Sequence, residues 1–269
     1  MKTTVARPTL FCLSLIVISL MLAFQSFAKV EIKNAAAIWL FDEGKGDVAK
    51  DLTGQGHDGQ LKDGPKWADG KYGKALSFDG AKSYVEIPST DSFALQDFTV
   101  SFFVNPGAQD EAIVTLIDYT HHGTDGRWTV QSEHAMDTKM WYLAYLGSAG
   151  AWQYNNAGYA PFTEGIWQHI AFVKTDVKVL TYKDGVLVNT RTNTDPKVKY
   201  ATPAPLHFGH WSVGAGRFFN GALDEVVIFK GALSADDIKD IATRGLIVAA
   251  AVSPSGKLAI AWATIKVQY

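Results

Sequence analysis

Two pairs of adjacent carboxylates, Asp42-Glu43 and Asp224-Glu225, are the first places to look for chemistry in this chain. A retaining glycosidase needs two carboxyl groups about 5–5.5 Å apart on one side of a cleft. Neighbouring residues on a strand point to opposite faces, so each pair offers a cleft one group. No Glu-x-Asp-x-x-Glu spacing occurs, and no Gly-x-Ser-x-Gly elbow that would carry a nucleophilic serine. The residues argue against catalysis.

Cation binding suits them better. Asp51, Gln55 and Asp58 lie in or beside a glycine-rich stretch, residues 54–59, whose backbone carbonyls are further oxygen ligands. Calcium takes six to eight oxygens and accepts such a mixture. Asp224 is expected to close the site, because the first and last strands of a sandwich often pair. Against this stands simpler turn chemistry, in which Asp51 and Asp58 accept bonds from their own backbone. The two accounts carry equal weight at this point.

The histidines complete no zinc-ligand spacing. His121-His122 and His134 fall in polar loops, and His207 and His210, three apart along a strand, are expected on opposite faces. Aromatic side chains are the better candidates for ligand contact. Trp152, Tyr154 and Tyr159 are set among small polar residues, with Asn155 and Asn156 between them. Sugar faces stack on such rings while amides bond hydroxyls, and Arg127 borders the same rim. The competing account makes Trp152 and Tyr154 one inward face of a strand at period two.

What must position these groups is a succession of short strands. Apolar, β-branched and aromatic runs fall at 35–41, 75–78, 84–87, 98–104, 113–117, 128–131, 140–146, 167–173, 177–182, 186–188, 206–211 and 223–229. Asp79-Gly80 and Asp184-Gly185 read as hairpin loops, and Asn220-Gly221 as a tight turn. One helix is expected near 234–244. Ser234 caps it with Asp237 three residues on, Ile238, Ile241 and Ala242 share a face, and Gly245 ends it. Strands with turns every eight to twelve residues predict an all-β sandwich or barrel.

Several passages, in order, resemble one family. Trp39, Phe41, Asp42, Glu43 and Gly44 are followed by the Gly-rich loop from Asp51. Then come Leu76-Ser77-Phe78-Asp79-Gly80, the long apolar run 98–104 ending at Asn105-Pro106, Trp167 with His169, Asp184-Gly185, and the passage 218–241. Together they are similar to the LamG-like jelly-roll domains of the concanavalin A-like lectin/glucanase superfamily. The resemblance spans roughly residues 37–245. It implies a two-sheet antiparallel jelly-roll sandwich, in a role that is usually binding or adhesion. Many members carry a calcium ion. The superfamily also hosts glycosidases, so a glycan-active hydrolase with carboxylates from separate strands is the alternative.

Composition narrows the partners. With 25 Lys and Arg against 27 Asp and Glu, and no basic cluster, nucleic acid is excluded as a partner. Residues 1–28 read as a signal peptide. Lys2 and Arg7 precede an apolar run of about fifteen residues, short of the roughly twenty that span a bilayer, and Ser26-Phe27-Ala28 suits cleavage. The one cysteine, Cys12, lies inside it, so the mature chain has no disulfide and depends on its core or a metal. A LamG-like domain over 29–245 and an apolar tail over 246–269 of unassigned structure follow. The expected protein is secreted, extracellular or periplasmic, and not integral to a membrane after processing. It is a non-catalytic module for glycan or extracellular protein at a loop rim, with calcium as a candidate support.

Overall fold

A computed structural model describes residues 30–120, 128–133, 139–154, 160–200 and 203–251. The signal segment and the tail from 252 onward lie outside the described residues. Among the described residues seventeen strands divide between two sheets, with every pairing antiparallel.

The first sheet has eight strands. These are β1 (Ala35–Trp39), β4 (Lys66–Asp69), β5 (Lys74–Asp79), β7 (Phe98–Pro106), β13 (Gln168–Lys174), β14 (Lys178–Lys183), β15 (Val186–Thr192) and β17 (Asn220–Lys230). Their order is β15-β14-β13-β7-β17-β5-β4, with β1 pairing the far half of β17. The second sheet has nine. These are β2 (Val48–Ala49), β3 (Gly59–Lys62), β6 (Tyr84–Thr90), β8 (Ile113–Tyr119), β9 (Trp128–Glu133), β10 (Met140–Leu146), β11 (Trp152–Tyr154), β12 (Ala160–Pro161) and β16 (Ala204–Phe208). It runs β11-β10-β9-β8-β16-β6-β3-β2, with β12 beside β10. The expected jelly roll is what forms.

Alternation builds the core. Phe98, Val100, Phe102 and Val104 of β7 face Val114, Leu116, Trp128, Val130, Trp141 and Leu143 of the second sheet, all buried in one cluster with Trp39 and Phe208. Fully burying each such side chain contributes about 1.5–3 kcal/mol, which explains how the sandwich holds without disulfides. The first sheet is buried on its outer face as well. Phe103, Val227 and Phe229 pack there against Ile241, Leu246 and Ala249. Those three residues belong to helix α1 (Ala235–Arg244) and helix α2 (Leu246–Ala251). Ser234 and Asp237 make both bonds of the capping box that starts α1, and Gly245 ends it at φ 78°. The first residues of the apolar tail are thus part of the fold, docked as α2.

Two turn assignments are corrected. Asp79-Gly80 is no hairpin, since β5 lies in the first sheet and β6 in the second. It is a corner between layers, in which Asp79 Oδ1 accepts from the amides of Ala81, Lys82 and Ser83, each at 3.0 Å. Asn220-Gly221 opens β17 instead of turning, and Gly221 (φ 142°) lets that strand approach β7, where a Cβ would sit 2.5 Å from the Asn105 carbonyl. Asp184-Gly185 is the expected two-residue loop, both residues at positive φ.

Candidate functional site

While α1 and α2 cover the outside of the first sheet, the outside of the second carries polar side chains in register. Glu86, His207, Asp118 and Thr129 stand opposite one another on β6, β16, β8 and β9. Their strand neighbours Val85, Phe208, Ile117 and Val130 fill the core, so alternation turns this row outward. A second ladder runs beside it. Gln131 Nε2 donates to Thr115 Oγ1 at 3.2 Å, and Tyr142 OH donates to Gln131 Oε1 at 3.0 Å.

Asp118 anchors the row. It is wholly buried, and its Oδ2 accepts from Ser212 N at 2.9 Å, Ser212 Oγ at 2.7 Å and Thr120 Oγ1 at 2.7 Å. Its Oδ1 has no hydrogen-bond partner among the described residues, nor has either ring nitrogen of His207 or Nδ1 of His210. The two imidazoles stack at 5.8 Å with 23° between planes. Tyr84 tilts against both, and Phe218 stacks on His210 at 4.4 Å. The expectation of opposite faces fails because β16 ends at Phe208 and Gly209 (φ 83°) turns the chain back, which returns His210 to the side of His207. Burial pushes the His207 imidazole down to about 4 and lowers His210 as well, so both are neutral at neutral pH. At the edge of this cluster Glu86 Oε2 lies 3.6 Å from His207 Nε2, and the Arg217 guanidinium covers the Trp211 ring at 4.2 Å.

Of the rim residues expected from sequence, Trp152 is half-buried on β11 opposite Leu146, and position 154 pairs with Ala144. Tyr142, Ala144 and Leu146 alternate with the core residues Leu143 and Tyr145, so Trp152 lies on the outward face and is no inward core residue. Arg127, Asn155 and Asn156 lie outside the described residues, as do His121, His122 and His134.

The three carboxylates assigned to a cation are not brought together; among the described residues no group of three or more His, Cys, Asp and Glu is arranged to hold a metal ion by itself. Asp51 is spent on its own loop. Its oxygens accept from Ile38 N at 3.2 Å, Thr53 N at 3.0 Å, Thr53 Oγ1 at 2.8 Å and His57 N at 3.3 Å. Asp58 accepts from Asp51 N at 2.9 Å and from Lys50 Nζ at 2.7 Å. Gln55 turns its amide nitrogen, not its oxygen, onto the Ala35 and Ala36 carbonyls. Turn chemistry accounts for this loop.

Asp224 is different. It is wholly buried, Oδ2 accepts from Tyr72 N at 2.8 Å, and Oδ1 has no partner among the described residues. Burial pushes its carboxyl up to about 8. A Cβ at Gly70 would lie 2.6 Å from both Asp224 Oδ2 and the Lys74 carbonyl, while Asp42 Oδ1 accepts from Lys74 N at 2.9 Å and touches the space beside Gly73. Asp42 and Asp224 therefore close on one turn, residues 70–74. Glu225 breaks the parity expected from sequence. A bulge between Asp224 and Val227, with Glu225 at φ 45°, sends both acidic side chains outward, and Glu225 Oε2 accepts from Leu246 N at 2.7 Å.

A family profile described as the concanavalin A-like lectin/glucanases superfamily matches residues 79–239. The chain belongs to that superfamily. No curated protein matches the chain. Among solved structures, domain 4 of AbnA, an extracellular GH43 arabinanase from Geobacillus stearothermophilus in complex with arabinotriose, is similar at TM-score 0.60 and 24% identity, covering 78% of this chain and 98% of that one. The binding domain of botulinum neurotoxin serotype G is similar at 0.60 and 11%, covering 78% of this chain and 50% of its own. Trypanosoma rangeli sialidase in complex with sialic acid follows at 0.60 and 17%, covering 80% and 33%. This chain thus spans about half of the toxin domain and a third of the sialidase. At these identities the likeness establishes the sandwich.

The same sandwich is thus found in a toxin binding domain and in parts of an arabinanase and a sialidase, so the fold by itself assigns no activity. The outward row of the second sheet was legible only in part. Asp118 alternates with core residues, yet nothing local distinguishes it from a surface carboxylate. Gly209 was the available signal for the returned His210, because an isolated glycine after a strand marks a turn. Among the described residues no helix is long and apolar enough to cross a membrane.

Proposed function

We propose that this chain is an exported, non-catalytic recognition module that binds carbohydrate on the outward face of its nine-stranded sheet. One observation carries the proposal: a buried carboxylate and two neutral imidazoles, with four polar atoms unpartnered among the described residues, sit on a face where the other sheet has helices. Buried polar atoms are normally paired, so such a set is suited to the hydroxyls of a ligand. The Thr115–Gln131–Tyr142 ladder flanks the Asp118–Thr129 row on one side and Trp152, opposite Leu146, flanks it on the other, a breadth that suits a chain of several sugar units. The similar AbnA domain, solved with arabinotriose, supports the choice of carbohydrate. The rim residues Arg127, Tyr154, Asn155 and Asn156 remain the proposed continuation of the surface.

Calcium is proposed as a support for the opposite sheet. Asp224 and Asp42, with carbonyl oxygens of the 70–74 turn, fit a hard cation better than Asp51 and Asp58 do, because Asp224 Oδ1 is buried and unpartnered. Bound calcium would supply the opposite charge that this buried carboxylate lacks.

The test is a glycan array, arabino-oligosaccharides included, followed by amide shift mapping with a hit. Shifts are expected in β8, β9, β10 and β16. Shifts confined to α1, α2 and β7, or no glycan bound at all, would defeat the proposal.

A glycan-active hydrolase is the second reading, favoured by Glu86 and Asp118 flanking His207 on separate strands. Two strand spacings put their backbones about 9.5 Å apart with the His207 strand between them. Release of reducing ends from a bound oligosaccharide, abolished in Glu86→Gln, would establish hydrolysis.

A further inference from the structure

The unpartnered atoms around Asp118 specify more than hydroxyls in general. Asp118 Oδ1 is an acceptor in every ionised geometry. His210 Nδ1 is unpartnered as well, and in the tautomer that carries the proton on Nε2 it is a further acceptor. Neutral His207 offers one N–H and one lone pair. With His210 in that tautomer the sum is three acceptors against one donor, in a place where Asp118 is fully buried and His207 is 6% exposed.

Charge points the same way. Apart from the imidazoles themselves, the charges that act on Tyr84, His207 and His210 are the carboxylates Asp63, Glu86, Glu111 and Asp118. Two cations lie nearby: Lys62 stands opposite Tyr84 on β3, two strands from His207, and Arg217 lies over Trp211 while its backbone N–H donates to Glu111 Oε2 at 2.6 Å. Ring faces of Tyr84 and Phe218 wall the imidazoles, and aromatic faces attract cations. A buried anion without an opposite charge is costly, and one neutral hydroxyl donates a single proton where three acceptors wait.

We propose that the cluster of Asp118, His207, His210 and Glu86 binds a protonated amine flanked by a hydroxyl, the group an unacetylated 2-amino sugar presents. The ammonium donates to Asp118 Oδ1 and to the two imidazole lone pairs, and the hydroxyl accepts from the His207 N–H. The sugar as carrier rests on the carbohydrate reading above; the amine does not.

The experiment is calorimetric titration of the full chain at neutral pH with three β-1,4-linked oligosaccharides that differ at position 2: glucosamine, N-acetylglucosamine and glucose oligomers. Ethanolamine, which has the same amine and hydroxyl without a ring, is a fourth probe. The glucosamine oligomer is expected to bind at least about ten-fold tighter than the other two, a charge-assisted bond being the difference. That preference should collapse in Asp118→Asn and weaken in Glu86→Gln, whose half-exposed side chain makes misfolding no explanation for the loss. Equal affinity for all three, or a preference that survives both substitutions, overturns the proposal. So does silence toward both amines while another glycan on the array binds, a result that leaves the carbohydrate reading standing. Ethanolamine bound through Asp118 with no glycan bound anywhere upholds the amine site and removes the sugar.

Discussion

His207 and His210 stack face to face at 5.8 Å although strand spacing would set them on opposite sides of the sheet. The relationship depends on Gly209, at φ 83°, where an added Cβ would lie 2.6 Å from the Phe78 ring. Gly209→Ala is therefore expected to destabilise the fold by about 1–3 kcal/mol through positive φ and the clash. The fall in thermal midpoint measures it, and loss of ligand binding at 20 °C below that midpoint shows that His210 has left the cluster. An unchanged midpoint would contradict the turn.

Acid should destabilise the protein in a defined window. Burial holds His207 down at about 4 and His169, packed against Phe103 and bonded to Ser101 at 2.8 Å, at about 3. An unfolded histidine takes its proton near pH 6.5, so below that pH the unfolded chain binds more protons. Each ring's contribution is full above about 6.5 and is lost as pH drops toward 4, at up to about 1.4 kcal/mol per pH unit, while the Asp224 carboxyl, protonated in the fold and ionised when unfolded, works the other way and offsets one of the two. Denaturant unfolding at several pH values reads the slope, and His207→Gln should make it shallower. A flat profile between pH 6.5 and 4 would show both rings to be solvated.

Removing calcium should soften the first sheet and not the second. A chelator is expected to lower the thermal midpoint of the wild type by several degrees and leave Asp224→Ala unaffected. Asp51→Ala removes an acceptor serving Ile38, Thr53 and His57, so it costs about 1–3 kcal/mol while the chelator response persists. Calorimetry with added calcium checks the pair. A chelator response lost in Asp51→Ala and kept in Asp224→Ala would reverse the assignment.

Capping of α1 offers an isolated stability test. Ser234 Oγ accepts from Asp237 N at 3.1 Å while the Asp237 carboxylate accepts from Ser234 N at 3.2 Å. Ser234→Ala is expected to cost about 1 kcal/mol, read as a shift in urea midpoint at constant slope. Carbohydrate binding on the far sheet should not change.

The strands, the single well-capped helix and the Asp184-Gly185 loop were legible because each is governed by near neighbours: alternation, a capping box, a dipeptide tolerant of positive φ. Asp79-Gly80 misled for the same reason. Its local chemistry is that of a turn in either case, and whether the strands it joins pair or part is decided by their separate partners, β17 and β16. The Asp224-Glu225 parity failed because a bulge adds one residue to β17, which no count along the chain reveals. Leu246–Ala251 is too short a pattern to declare itself, and it is helical because Phe103, Val227 and Phe229 wait beneath it.

From its residues alone this chain determines two layers of strands with a shared aromatic interior, since period-two burial leaves few other ways to remove so many rings from water. Where chemistry gathers was a tertiary matter. Asp118 meets Ser212 across 94 positions, and Asp224 meets Tyr72 across 152. Contacts at such separation come from the order in which strands are laid into sheets, and that order is a property of the folded whole.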